Sequence, residues 1–288
     1  MTGILNLDKP AGWTSHDAVA KLRRILGERR IGHGGTLDPM ATGVLPVFVG
    51  RATRAVEFLE AADKEYEAGL RLGLVTDTQD TTGSILEERP VNVSEEAIRA
   101  AILGLKGERD QLPPMYSAVK VGGKALYAYA RSGKTVERKS RHITIYAAEP
   151  LGWAGEEYRF RVVCSKGTYI RTLCHDLGEL LGCGGAMSSL RRLRAGPFRL
   201  EEAITLEQAA ERGAECLLPL DSLFRDCPAL TLDGEQTRRV LNGSDFPGEG
   251  EAGRYRLYGP EGEFLALAAL EAGRVKIIKS FFEVRDAG

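Results

Sequence analysis

Along this chain the spacing of apolar residues switches between a helical and a strand-like period, and the switches mark out the elements. Residues 3–7 suit a short strand that ends at the turn Lys9-Pro10-Ala11-Gly12. Ser15 then stands where a helix N-cap is wanted, ahead of Val19, Leu22, Ile25 and Leu26 on one helical face. The unbroken apolar run 44–49 reads as a buried strand, and 52–62 as a helix. At 66–72 the period drops to two, so Tyr66, Ala68, Leu70 and Leu72 share one side of a strand. Ser94 caps a further amphipathic helix with Ile98, Ala101, Ile102 and Leu105 inward. Another alternating strand, 158–164, leads through Ser165-Lys166-Gly167-Thr168-Tyr169 into a helix at 170–181. The elements mix without strict βαβ repetition. This predicts an α+β fold with a mixed, largely antiparallel sheet and flanking helices.

Beyond about residue 228 the texture changes. A short helix at 232–241 closes at Asn242-Gly243, and short strands follow at 255–258, 264–270 and 275–281, divided by glycine-containing turns. The pattern predicts a body over 1–227 and a small β-barrel-like module over 228–288.

Composition adds a compartment and a partner class. At 43% hydrophobic and 27% charged, the 288 residues are ordinary for a globular chain. No window reaches the roughly 18 apolar residues that span a bilayer, and residues 1–9 lack an export signal, so no membrane partner is expected. The five cysteines are irregularly spaced, which suits a reducing compartment and points to the cytoplasm. The net charge of −1 hides segregation. Residues 57–110 hold 13 acidic and 6 basic side chains, and 201–273 hold 15 and 6. Between them, 112–141 hold 7 basic and 1 acidic, interleaved with Tyr116, Tyr127 and Tyr129. Residues 186–199 carry Arg191, Arg192, Arg194 and Arg199 with no acid. Two cationic tracts are the footprint of a phosphate-backbone partner, although any single charge run is more often a solvated face.

The segment 32–43 gathers four glycines around one carboxylate, Asp38. Glycines allow close backbone approach, and Pro39 biases Asp38 toward an extended conformation, which fixes the direction of its side chain. Such a carboxylate suits covalent or electrostatic catalysis, with a plain polar turn as the competing reading. Gly133-Lys134-Thr135 imitates a phosphate-binding loop, but it follows a helical stretch (125–131) and precedes a strand-like one (143–146), the reverse of the required order. Cys164, Cys174 and Cys183 lack zinc spacing, Cys174-His175-Asp176 cannot converge on one helix, and 77–80 does not fit a calcium loop. No metal ligand set and no cofactor motif stands out. His142 and His175 receive no role. What survives is Asp38, Tyr66, Tyr169 and Arg171, with His33 close to the aspartate in sequence. Arg171 is expected to hold the Asp38 carboxyl below its usual range, and Tyr66 to offer a ring for stacking and a hydroxyl for proton handling.

Taken together, residues 3–15, 32–43, 64–66, 77–83, 113–120 and 164–171 resemble the TruB-type family of tRNA pseudouridine synthases, in that family's order over about 3–225. The remainder is similar, more weakly, to the PUA-type RNA-binding module of that family. The resemblance implies that Asp38 is the essential aspartate of a cofactor-free isomerisation of uridine to pseudouridine. It implies that His33, Tyr66, Tyr169 and Leu190 contact substrate, that Arg171 pairs with the aspartate, and that Lys9 lies beside the site. It further implies a mobile insertion at about 114–142 and the uridine at position 55 in the T loop of tRNA as target. The expected enzyme is a monomer that flips its base and needs neither guide RNA nor protein partner. A non-catalytic RNA-binding or remodelling protein on the same fold, and a guide-dependent synthase, stand as the rival readings.

Overall fold

The computed structural model describes residues 1–282, so the last six positions of the expected 228–288 module lie outside the described residues. A nine-stranded sheet organises the body. Its main path runs Gly3–Lys9, Thr42–Val49, Gly185–Ala195, Lys64–Leu72, Glu157–Cys164, Arg141–Ala154 and Gly107–Gln111. Ile31–His33 adds to Thr42–Val49, and Phe198–Arg199 adds to Gly185–Ala195. Every pairing in this sheet is antiparallel except one, where Arg191 and Arg192 lie beside Thr42 and Gly43 in parallel. The expected α+β class with a mixed, largely antiparallel sheet is observed.

Alternation along Lys64–Leu72 works as the sequence implied. Tyr66, Ala68, Leu70 and Leu72 are buried, whereas Glu65, Glu67 and Arg71 are half-exposed. Tyr158, Phe160 and Val162 do the same on the neighbouring strand and join one continuous core with Leu70, Ile98, Ile102, Leu173 and Leu177. Burying each such side chain is worth about 1.5–3 kcal/mol, and this core orients the helices Ser15–Leu26, Glu95–Leu103 and Ile170–Leu180 on the sheet.

Several boundaries move for local reasons. Thr14, not Ser15, is the first helix's N-cap, because Thr14 forms a capping box with Asp17. Ser15 is instead buried and exchanges hydrogen bonds with Leu37, accepting from its N–H at 2.9 Å and donating to its carbonyl at 3.2 Å. Residues 52–62 are not one helix but a 3₁₀ turn, Gly50–Ala55, followed by the short helix Val56–Glu60. Ser94 caps as expected. The C-terminal helix starts at Gly234, since Asp233 is its cap and closes a box with Gln236.

Among the described residues the C-terminal strands form a five-stranded half-barrel sheet, in keeping with the expected barrel-like shape, in the order Ala229–Thr231, Gly253–Tyr258, Phe264–Glu271, Arg274–Ser280, Phe246–Pro247. Two of these five were not expected, because they are only three and two residues long and carry no alternation. Phe224, Phe264 and Phe281 pack together, and with Phe198, Leu223 and Leu267 they form a core shared between body and C-terminal sheet. Lys279 reaches Glu57 at 2.8 Å across the same join.

Helix Ile170–Leu180 sits hard against the chain that returns to the sheet. A β-carbon placed on Gly178 would meet the Gly185 nitrogen at 2.0 Å and the Gly184 carbonyl carbon at 2.2 Å. Gly178→Ala should therefore lose stability despite gaining about 1 kcal/mol of helix propensity, because overpacking against backbone costs about 1–3 kcal/mol or more. A lower urea midpoint with unchanged slope is the expected result. A raised midpoint would show that the approach is not close.

Candidate active site

Asp38 projects from the loop between Ile31–His33 and Thr42–Val49, next to the parallel junction. The loop is fastened at several points. Gly34 N–H donates to Pro46 O at 2.9 Å, Ala41 N–H to Asp38 O at 3.0 Å, and Gly12 N–H to Pro39 O at 2.8 Å. Lys9, whose side chain is fully buried, donates to the carbonyls of Trp13 at 2.7 Å, Pro10 at 2.9 Å and Pro39 at 3.4 Å. Burial lowers the Lys9 ammonium to about 8. Gly43, at φ +98°, allows the parallel strand to approach, since a β-carbon there would stand 2.3 Å from the Arg192 carbonyl oxygen.

Arg171, in the first turn of helix Ile170–Leu180, grips the carboxylate from both sides. Its Nε lies 3.0 Å from Oδ2, and its Nη2 lies 3.3 Å from Oδ1. The remaining donors reach the carbonyls of Thr78 at 3.0 Å and Tyr116 at 2.8 Å, with the Asp80 carboxylate 3.7 Å away. Asp80 is in turn held by Thr78 and Thr82, whose hydroxyls lie 2.9 and 2.6 Å from its Oδ1. The expected Asp38–Arg171 pair is present, but its electrostatic outcome differs from expectation. Burial raises the Asp38 carboxyl above its usual value, and the opposing pull of Arg171 does not overcome it; Asp80 adds to the rise. Sequence reasoning counted the counter-charge and could not count the lost hydration.

A cavity of about 390 Å³ opens over this pair, a volume suited to a nucleoside-sized ligand. Tyr66, Tyr169, Leu190, Lys64, Arg141, Thr168 and Arg192 line it together with Asp38 and Arg171. Tyr66 is 9% exposed, and burial raises its phenol. Tyr169 is fixed by Gln111, which accepts from its N–H at 2.8 Å and donates to its carbonyl at 3.0 Å. The structure thus brings five sequence-predicted residues to one wall: Asp38, Tyr66, Tyr169, Arg171 and Leu190. Two are not in that lining. Lys9 acts from behind the Asp38 loop. His33 packs edge-on against His16 at 5.3 Å with its Nδ1 buried and unbonded, and burial lowers it to about 4.

The cationic tracts separate in the same way. Lys120, Lys124, Lys134 and Lys139 are exposed, as a phosphate-facing stripe requires. The 186–199 tract is not such a stripe. Arg192 is 1% exposed, Arg191 pairs with Asp8 at 2.8 Å, and Arg194 pairs with Glu65 at 3.4 Å. Arg192 points inward, carboxylates neutralise Arg191 and Arg194, and Arg199 alone of the four is exposed, none of which a charge count reveals. Gly133-Lys134 follows helix Leu126–Ala130 and precedes strand Arg141–Ala154, so the phosphate-loop imitation fails geometrically as expected. All five cysteines are free thiols. Sequence reasoning missed Gln111, Asp80 and Arg192 as parts of the site; the only signal for Arg192 was its place in an alternating strand.

The sheet that carries this carboxylate, arginine and two tyrosines aligns along nearly its whole length with solved structures. A structure described as a Cbf5-Nop10-Gar1 complex aligns with TM-score 0.74 at 31% identity, covering 97% of this chain and 85% of that one. Another, an H/ACA ribonucleoprotein bound to a substrate RNA containing 2'-deoxyuridine, aligns at 0.73 and 28%, covering 98% and 85%. The fold is that of a pseudouridine synthase. The TruB family pseudouridylate synthase N-terminal domain matches residues 23–170, and the tRNA pseudouridylate synthase B C-terminal domain matches 171–225. The tRNA pseudouridine synthase B of Aromatoleum aromaticum is 49% identical over 270 residues, 92% of this chain and 87% of its own. That of Streptococcus gordonii is 51% identical over 254 residues, 84% and 87%. The chain belongs to the TruB family of pseudouridylate synthases, isomerases that convert uridine to pseudouridine.

Gln111 offers a test of how tightly the wall is held. Gln111→Leu leaves the Tyr169 N–H without its partner, while the Tyr169 carbonyl keeps the Leu173 N–H at 3.2 Å, and should cost about 1–3 kcal/mol, read as a lower urea midpoint. An unchanged midpoint would mean that water replaces the amide without loss.

Proposed function

We propose that this enzyme converts uridine 55 in the T loop of tRNA to pseudouridine, with Asp38 as the essential carboxylate. The observation that carries this reading is the bidentate Asp38–Arg171 pair at a nucleoside-sized cavity flanked by Tyr66 and Tyr169. Family membership and the relatives' names supply the tRNA. The target base is stacked in its loop and must be extruded, at on the order of a few kcal/mol. In the cavity Tyr66 and Leu190 receive the base, and Tyr169 closes the other side. The N1–C1′ bond breaks, the uracil turns, C5 joins C1′, the proton on C5 leaves and N1 takes one up. Asp38 serves as the anion at this centre, whether it bonds C1′ or C6 or balances a cationic or glycal intermediate. Arg171 keeps the carboxylate ionised against the burial that raises it. His33, neutral through burial, contacts substrate from the neighbouring strand end, and Lys9 secures the loop.

The same reading divides the chain into a catalytic body, 1–227, and a PUA-type RNA-binding module, 228–288. The insertion 114–142 closes over the T arm. Support comes from its exposed lysines and from its contact with the site, where Arg171 holds the Tyr116 carbonyl. The enzyme acts as a cytoplasmic monomer without guide RNA. No helix among the described residues is long and apolar enough to cross a membrane, and the free cysteines agree with a reducing compartment. A guide-dependent reading draws on the assemblies aligned at 28–31% identity, against 49–51% for the relatives named tRNA pseudouridine synthase B.

Asp38→Asn should abolish tritium release from C5-labelled uridine in a tRNA transcript while leaving the melting temperature equal or higher. The sign follows from linkage: a carboxyl raised in the folded state contributes stability at low pH that is lost as pH rises, so removing its charge near neutrality costs none. Retained release would remove Asp38 from the mechanism. Failure of the unmodified chain alone on the transcript would revive the guide-dependent reading.

The ionised carboxylate is the working form, so the acidic limb of kcat/KM should lie above the range of a free aspartate. Arg171→Gln should move that limb to still higher pH; a limb that moves down or stays would break the link between the two groups. Reversing Lys120, Lys134 and Lys139 to Glu should flatten the salt dependence of tRNA binding by about one unit of slope for each phosphate left unneutralised. An unchanged slope would place the RNA elsewhere.

A further inference from the structure

Arg192 is the largest wholly buried side chain among the described residues, and none of their carboxylates comes within ion-pair distance of it. A guanidinium without a counter-ion is a costly filler for a core, so its placement calls for a function. Its partners are specific. Nε donates to the Val44 carbonyl at 2.6 Å, and Nη2 donates to the Gly35 carbonyl, on the Asp38 loop, at 3.2 Å. In the sheet Arg192 lies opposite Tyr66 on one side and opposite Gly43 on the other, so its side chain leaves on the same face as Tyr66. There it lines the cavity with Tyr66 and Asp38, and its Nη1 is left over from the bonds to Val44 and Gly35.

We propose that Arg192 is a positioning residue for this reaction: bonded to the Asp38 loop through Gly35, it donates its remaining N–H to the phenol oxygen of Tyr66 across the strand, which keeps loop and phenol at one fixed separation and directs the phenol's own proton into the cavity. A phenol has one donor and its oxygen lone pairs; with a lone pair occupied by an N–H, the O–H turns away from the arginine toward the ligand. There it donates to a uracil carbonyl while the base turns. Only a planar fork with several N–H groups serves Val44, Gly35 and Tyr66 at once, which a lysine's point charge does not. The inference rests on the roles of Asp38 and Tyr66 given under Proposed function.

The test is a double-substitution cycle. Arg192→Lys and Arg192→Gln are made in the unmodified enzyme and in Tyr66→Phe, with kcat and KM for a tRNA transcript read by tritium release and folding read by circular dichroism. Arg192→Lys should lower kcat about 10- to 100-fold with KM unchanged, and should lower it by a clearly smaller factor in Tyr66→Phe, where only the hold on the Asp38 loop remains to be lost. Losses that multiply across the two positions, or a raised KM with kcat intact, would overturn the assignment. Should the Arg192 variants not fold, NMR of the unmodified enzyme decides: a through-space contact between Arg192 guanidinium protons and the Tyr66 ring is expected, and its absence overturns the proposal. Full activity of Tyr66→Phe alone would instead refute the role of Tyr66 itself, a failure of the underlying reading that the cycle keeps distinct.

Discussion

A carboxylate and a guanidinium taken out of water both lose hydration, and they remain charged only if their mutual geometry is close and their other valences are filled. Asp38 and Arg171 meet that condition narrowly. Two contacts at 3.0 and 3.3 Å join them, and Thr78, Tyr116 and Asp80 occupy the rest of the guanidinium. The carboxyl nevertheless stays raised. An anion held in an environment that resists it is a better partner for developing positive charge at a ribosyl carbon than a well-solvated one. The site accepts some instability in exchange for that readiness.

Placing such a pair requires segments from distant parts of the chain to agree. Asp38 comes from a loop pinned by Lys9 and by Ser15, Arg171 from a helix 133 residues later, and the cavity wall from Tyr66 on a central strand. They converge at the single parallel junction of the main sheet, where Gly43 lets Thr42–Val49 lie against Gly185–Ala195. Arg192 stands at that junction and bonds to both the loop and the strand. The insertion joins the same network through Tyr116, whose carbonyl binds Arg171 and whose hydroxyl lies 3.4 Å from Asp77. The position of that segment and the orientation of the arginine are thereby linked.

The rigid body and the RNA-facing surface divide by exposure rather than by charge. Lysines of the insertion stand in solvent, where phosphate attraction is available, whereas the arginines of Gly185–Ala195 satisfy carbonyls and carboxylates within the protein. Positive charge in the two tracts therefore does different work. At the far end, the aromatic cluster of Phe224, Phe264 and Phe281 seats the C-terminal sheet on the body.

Local patterning carried much of this. Period two at 66–72 and at 158–164 named both central strands and their inward faces, and the glycine-rich loop exposed Asp38 as a candidate. Tyr169 and Arg171 stood out at the junction of an alternating strand and a helix, whereas resemblance supplied Leu190 and Lys9, which no local pattern distinguishes. Short elements escaped, as with Ala229–Thr231 and Phe246–Pro247, because two or three residues hold no period. Three facts needed the tertiary structure. Asp38 is raised rather than lowered, Arg192 faces inward, and Gln111 grips Tyr169 from 58 residues away. Each depends on hydration lost or on partners met through space, quantities set by the packing of remote segments and not by any neighbour along the chain.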